Sequence, residues 1–118
     1  MKKLNITTGV ELQDYFTGRV EKIVQSKGKK LIGWEEIMGG SKSSESVVMS
    51  WHGMQGAINA AKQGYSSVMT PAPFVYIDFN QGESTIDPPL YGGLRVSKCY
   101  SFEPVPEGVD AKFILGGQ

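Results

Sequence analysis

The chain has one cysteine and one histidine in 118 residues, and its charges cancel, twelve lysines and arginines against twelve aspartates and glutamates. A single thiol, Cys99, excludes an intrachain disulfide and any thiolate cluster around a metal. A single imidazole, His52, removes multi-histidine and cysteine–histidine metal sets, and any Ser-His-Asp arrangement would have to run through that one residue. Lys27, Lys29 and Lys30 form the only basic cluster, so the electrostatic footprint of a nucleic-acid binder is missing. No apolar run reaches the length of a membrane-spanning helix. Residues 1–5 are basic, but no apolar stretch of signal-peptide length follows. The sequence leaves localisation open, and neither a metal nor a cofactor is expected.

What is present suits one modest domain: 40% of the residues are hydrophobic, enough for a single small core. Leu12, Phe16, Val20, Ile23 and Val24 recur at helical spacing and predict a helix over Gly9–Ser26 with one apolar stripe. Thr8 and Glu11 fit a capping box at its start, and Gly28 is placed to end it in a left-handed conformation. Short apolar runs at 30–34, 47–51, 67–70 and 112–115 are continuous rather than alternating, as in strands buried on both faces of a parallel sheet. A small-residue helix at 54–63, carrying Ala57, Ala60 and Ala61 and stopped by Gly64, lies between the second and third runs. Strand, helix, strand implies a parallel sheet. The connection at 35–46 is rich in glycine and serine and has room for a turn of helix. Residues 71–110 hold all six prolines and no helical pattern. So long a connection, leaving the C-terminal edge of a parallel sheet, reads as a βα loop folded over a site.

Two of the strands end in tryptophan, Trp34 and Trp51. Core packing is one reading of each. The other is a pair of flat walls at the mouth of a site, of the kind a sugar's C–H face stacks against. Alternation in 75–79 puts Tyr76 and Asp78 on one side and Val75, Ile77 and Phe79 on the other. That pattern fits either an edge strand with a polar face or a phenol and carboxylate set to hold one small polar ligand. Glu35 and Glu36 do not make a glycosidase acid pair, because neighbours on an extended segment point to opposite faces. Glu36 is placed to start the following turn of helix and Glu35 to accept hydrogen bonds in support of the site. His52 reads as a polar loop histidine and Cys99 as a structural thiol. Gly116-Gly117 lacks the lysine and hydroxyl residue of a phosphate loop.

Taken in order, Leu31-Ile32-Gly33-Trp34-Glu35-Glu36-Ile37, Val48-Met49-Ser50-Trp51, Val68-Met69-Thr70-Pro71 and Tyr76-Ile77-Asp78-Phe79-Asn80-Gln81 resemble family-20 β-N-acetylhexosaminidases. Glu11-Leu12-Gln13-Asp14-Tyr15-Phe16 and Tyr100-Ser101-Phe102 extend the resemblance over nearly the whole chain. It implies an α/β fold, a partial (β/α)8 barrel made of roughly its last four parallel strands with intervening helices and one long βα loop. It implies an enzyme that removes terminal β-linked N-acetylglucosamine or N-acetylgalactosamine with retention, the substrate's own acetamido oxygen attacking the anomeric carbon. By the same resemblance Trp34 and Trp51 wall the pocket, Tyr76 orients the acetamide oxygen, and Asp78 accepts from sugar hydroxyls. The family's Asp-Glu acid pair has no counterpart in this sequence, so the chain alone is expected to be inactive. The parent enzyme is expected to be secreted, periplasmic or lysosome-like.

The expected partners are β-linked N-acetylhexosamine glycosides and the rest of the parent barrel. Four strands of a barrel that needs about eight leave two sheet edges open, which invites self-association. The rival readings are a free-standing carbohydrate-binding α/β module and a doubly wound regulatory domain, both without catalysis.

Overall fold

A computed structural model describes residues 5–82, 85, 86, 88 and 90–118. The basic tail, apart from Asn5, and residues Glu83, Ser84, Asp87 and Pro89 of the long connection lie outside the described residues.

Helix α1 spans Gly9–Ser26, with the boundaries its end signals predict. The Glu11 N–H donates to Thr8 Oγ1 over 3.2 Å, and the Glu11 carboxylate accepts from the Thr8 N–H at 3.1 Å, which completes the capping box. At the far end Gly28 adopts φ +67°. Its N–H reaches Gln25 O at 2.9 Å and that of Lys29 reaches Val24 O at 3.2 Å, a closure that needs a left-handed residue.

Strands β1 (Ile32–Trp34), β2 (Val47–Ser50), β3 (Ser66–Met69) and β4 (Ile114–Gly117) form one sheet in the order β1-β2-β3-β4, every pair parallel. Chain order and spatial order coincide, so the sheet winds in one direction as a barrel does. A doubly wound sheet reverses its order at a switch point, and the described strands contain none. Strand β4 begins two residues later than expected. Asp110 caps a 3-10 turn at Ala111–Phe113 by accepting from the Lys112 N–H at 3.0 Å, which delays the extended backbone.

Between β1 and β2 runs a 3-10 helix, Glu35–Gly39, and between β2 and β3 runs α2, Gln55–Lys62. The centre of the core is Val48, Ala60 and Tyr65, with Ile37 and Met38 packed against them. The Tyr65 hydroxyl donates to Ser41 O at 3.0 Å, which gives that buried phenol the partner it needs.

Residues 71–110 correct the expectation of a helix-free loop. They contain α3 (Ala72–Val75) and α4 (Val96–Tyr100). Pro73 falls in the first turn of α3, where a missing N–H costs nothing. Phe74 and Phe102 stack with centroids 5.5 Å apart, joining the two ends of the connection. Helices this short have no sequence periodicity to find and depend on such tertiary contacts.

The apolar stripe of α1 faces outward at three of its five positions, while Val20 and Val24 are half-buried. Leu12, Phe16 and Ile23 are 41%, 66% and 59% exposed, while the helix buries Thr17 and Glu21 instead. The Glu21 carboxylate accepts from the hydroxyls of Ser41 and Ser46 and from the N–H groups of Lys42 and Ser43, and so fastens α1 to the 39–46 loop. Burial pushes the Glu21 carboxyl up, but those four donors outweigh it and hold the group below the usual carboxylate range. The Cα radius of gyration is 17.1 Å, against about 13 Å for a compact domain of similar length. Among the described residues nothing pairs with the outer edges of β1 and β4, and Phe16 and Ile23 of α1 stay exposed.

Candidate active site

The C-terminal ends of β1, β2 and β3 point to one side of the sheet because all the strands are parallel. Trp34 closes β1 and Trp51 lies one residue beyond β2 rather than within it. Tyr76 caps the end of α3, just past β3. The fold brings these three side chains to one pocket of about 730 Å³, shared with Gln13, Gly33, Glu36 and Ile37. The volume falls in the range of small-molecule sites. Trp34 is 48% exposed, so its indole forms a wall at the pocket rather than part of the core.

Asp78 borders a second, smaller hollow of about 270 Å³ together with Trp34, Thr70, Tyr76 and Gln118. Tyr76 and Trp34 therefore line both spaces. The alternation expected at 75–79 is not realised. The segment turns instead, with the Ile77 N–H on Val75 O at 2.9 Å and the Phe79 N–H on Tyr76 O at 3.0 Å. Val75 and Ile77 consequently line the same hollow as Tyr76 and Asp78. The Tyr76 ring meets Phe79 edge-on, centroids 5.4 Å apart, a favourable aromatic geometry.

The two glutamates also depart from expectation. An extended segment would send them to opposite faces, but the chain enters its 3-10 helix at Glu35, and both carboxylates reach Trp51. Glu35 Oε2 accepts from the Trp51 N–H at 3.2 Å, and Glu36 Oε1 accepts from the indole Nε1–H at 3.1 Å. The other Glu35 oxygen pairs with Nδ1 of His52, whose ring lies 3.6 Å from that of Trp51, centroid to centroid. Ser50 Oγ accepts the Ala57 N–H at 3.0 Å, capping α2 from a neighbouring strand where Met54 offers no side-chain cap. Sequence reasoning missed Gln13 and Glu36 as pocket residues. Glu36 stands two places after a strand-end tryptophan, and that spacing was the available signal.

His52 and Cys99 stay outside this pocket. Among the described residues no group of three or more His, Cys, Asp or Glu side chains could hold a metal ion, and no helix is long and apolar enough to cross a membrane.

The fold agrees with those of the chain's structural relatives. The pattern of the glycosyl hydrolase family 20 catalytic domain matches residues 1–118. A β-hexosaminidase of Porphyromonas gingivalis is 39% identical over 113 residues, covering 92% of this chain and 14% of its own length. An exo-β-N-acetylglucosaminidase of Vibrio harveyi, solved as an inactive mutant, superposes with a TM-score of 0.84 at 34% identity, over 100% of this chain and 20% of its own. The same enzyme in complex with N-acetylglucosamine gives 0.79 at 32% identity, with the same coverage. The chain thus spans 14–20% of the lengths of these relatives. Four parallel strands wound in one direction, with helices between them, are part of the barrel those structures contain, and the chain belongs to glycosyl hydrolase family 20, within its catalytic domain.

Proposed function

We propose that this chain is the C-terminal part of the catalytic barrel of a retaining exo-β-N-acetylhexosaminidase, and that it supplies the wall of the sugar subsite. The observation that carries the reading is the pocket of about 730 Å³ in which Trp34, Trp51 and Tyr76 converge. In this scheme the indoles of Trp34 and Trp51 stack on the apolar face of the sugar and enclose its acetamide. The Tyr76 phenol donates to the acetamide oxygen and aims it at the anomeric carbon. Asp78, at the adjoining hollow, accepts from hydroxyls on the far side of the ring. The acetamide oxygen forms the new bond to the anomeric carbon as the bond to the leaving oxygen breaks. The proton that the leaving oxygen takes comes from an acid in another part of the parent, so the isolated chain does not turn substrate over.

The test is a titration of the chain with N-acetylglucosamine, followed through backbone and indole N–H resonances, with glucose as control. Saturable shifts at Trp34, Trp51 and Tyr76 that glucose does not produce support an acetamide subsite. Dispersed spectra indifferent to both sugars count against it.

A further inference from the structure

We propose that Glu35 and Glu36 are positioning residues that set the orientation of the Trp51 indole from two sides, a role that rests on Trp51 being a wall of the sugar subsite. A tryptophan fixed only through its own backbone keeps two rotatable side-chain torsions, and a stacking wall needs both defined. Trp51 lies one residue past β2, where its carbonyl still accepts from the Ala72 N–H at 2.8 Å, but that bond leaves the side chain free to turn. Glu36 Oε1 takes the indole N–H at 3.1 Å and so fixes the edge of the ring. Glu35, only 14% exposed in its side chain, takes the backbone N–H at 3.2 Å through one oxygen. With the other it holds His52 against the indole face. Edge, backbone and one face are thereby fixed by two consecutive residues.

The placement of Glu35 is itself supported. Ser50 Oγ lies 3.3 Å from its Oε2, and Gly56 passes so close that no Cβ would fit. His52 lines a separate hollow of about 370 Å³ with Met38, Gln55 and Asn59 rather than the pocket itself, so its contact with Trp51 comes from outside the sugar-binding space. Glu36 lines the pocket, but its carboxylate is engaged by the indole N–H, as that of Glu35 is by the Trp51 N–H and His52. They act through Trp51, and a change in either is expected to appear in substrate binding rather than in bond cleavage.

The experiment uses the full-length protein with a chromogenic N-acetyl-β-glucosaminide, and compares Glu36→Ala, Glu36→Gln, Trp51→Phe and the double variant Glu36→Ala/Trp51→Phe. Loss of one solvent-exposed hydrogen bond predicts a rise in KM of about fivefold for Glu36→Ala with kcat little changed. Glu36→Gln, whose amide oxygen still accepts the indole N–H, should restore KM to within about twofold of the parent value. Phenylalanine has no N–H, so Glu36→Ala should add nothing in the Trp51→Phe background. The indole ¹H–¹⁵N resonance of Trp51 should move far in Glu36→Ala and less in Glu36→Gln, which keeps an acceptor on the N–H, while that of Trp34 reports an intact fold. For Glu35, whose removal endangers folding, the conservative Glu35→Gln keeps the acceptor but loses the charge facing His52, and it should shift the same Trp51 resonance. A Trp51 resonance indifferent to both glutamates, or additive losses in the double variant, would overturn the positioning role. A KM unaffected by Trp51→Phe would instead overturn the sugar-wall reading and leave the resonances to decide the clamp separately.

Discussion

Gly56 packs against Glu35 so tightly that a Cβ on the glycine would overlap the carboxylate oxygen Oε2. The first turn of α2 and the end of β1 are thus brought together by the absence of a side chain. Gly56→Ala must displace Glu35 from the Trp51 N–H, and overpacking of this kind costs about 1–3 kcal/mol. The expected result is a lower thermal midpoint together with altered tryptophan emission. Gly9→Ala is the control, since a Cβ there meets nothing within 4 Å. Equal midpoints for the two variants would refute the close approach.

Glu21→Ala removes the acceptor of two hydroxyls and two backbone amides. Donors left buried without partners should lower stability by about 3 kcal/mol, read as a shift in the urea midpoint. Glu21→Gln keeps part of the acceptor set and should fall between the two. No loss in the alanine variant would mean that α1 is not held through this carboxylate.

The same residue predicts a response to acid. Its folded pKa lies below the ordinary value, so between the folded and unfolded pKa values the unfolded state binds more protons. The stabilisation is complete above the unfolded value of about 4.3 and disappears as the pH falls through the folded value. Denaturation followed from pH 6 downward should be less steep for Glu21→Gln than for the parent.

Tyr76→Phe tests the proposed acetamide contact. If the phenol aims the attacking oxygen, its loss should lower kcat in the full-length protein by about tenfold or more, with a smaller change in KM. An unchanged kcat would remove Tyr76 from the reaction and leave it as part of the wall.

Phe16 and Ile23 are exposed on α1, and the outer edge of β1 has no neighbour among the described strands. The isolated 118-residue chain should therefore sediment as a species heavier than its 12.9 kDa. Phe16→Gln with Ile23→Gln should shift it toward monomer. A monodisperse monomer that unfolds cooperatively would show that these surfaces find cover within the chain.

Much of the architecture was legible because its causes are local. The Thr8–Glu11 box and Gly28 define α1 through contacts spanning three to five residues. The apolar runs and the small-residue helix between them require parallel pairing whatever surrounds them. The segment around Tyr76 was misread, since alternation over five residues cannot be told from a turn whose hydrogen bonds depend on α3. The burial of Glu21 was hidden for a related reason. A carboxylate on a helix reads as solvated until four donors from 20 to 25 residues away close around it.

The sequence alone determined the elements outside 71–110, their parallel order and the residue types gathered at the strand ends, because helix caps, glycine stops and apolar periodicity act between near neighbours. Only the tertiary structure decided which face of α1 is buried, where 71–110 turns helical, and that Glu35 and Glu36 both close on Trp51. Those outcomes depend on hydrogen bonds and packing between residues far apart in the chain, and no local pattern records which distant partner will arrive.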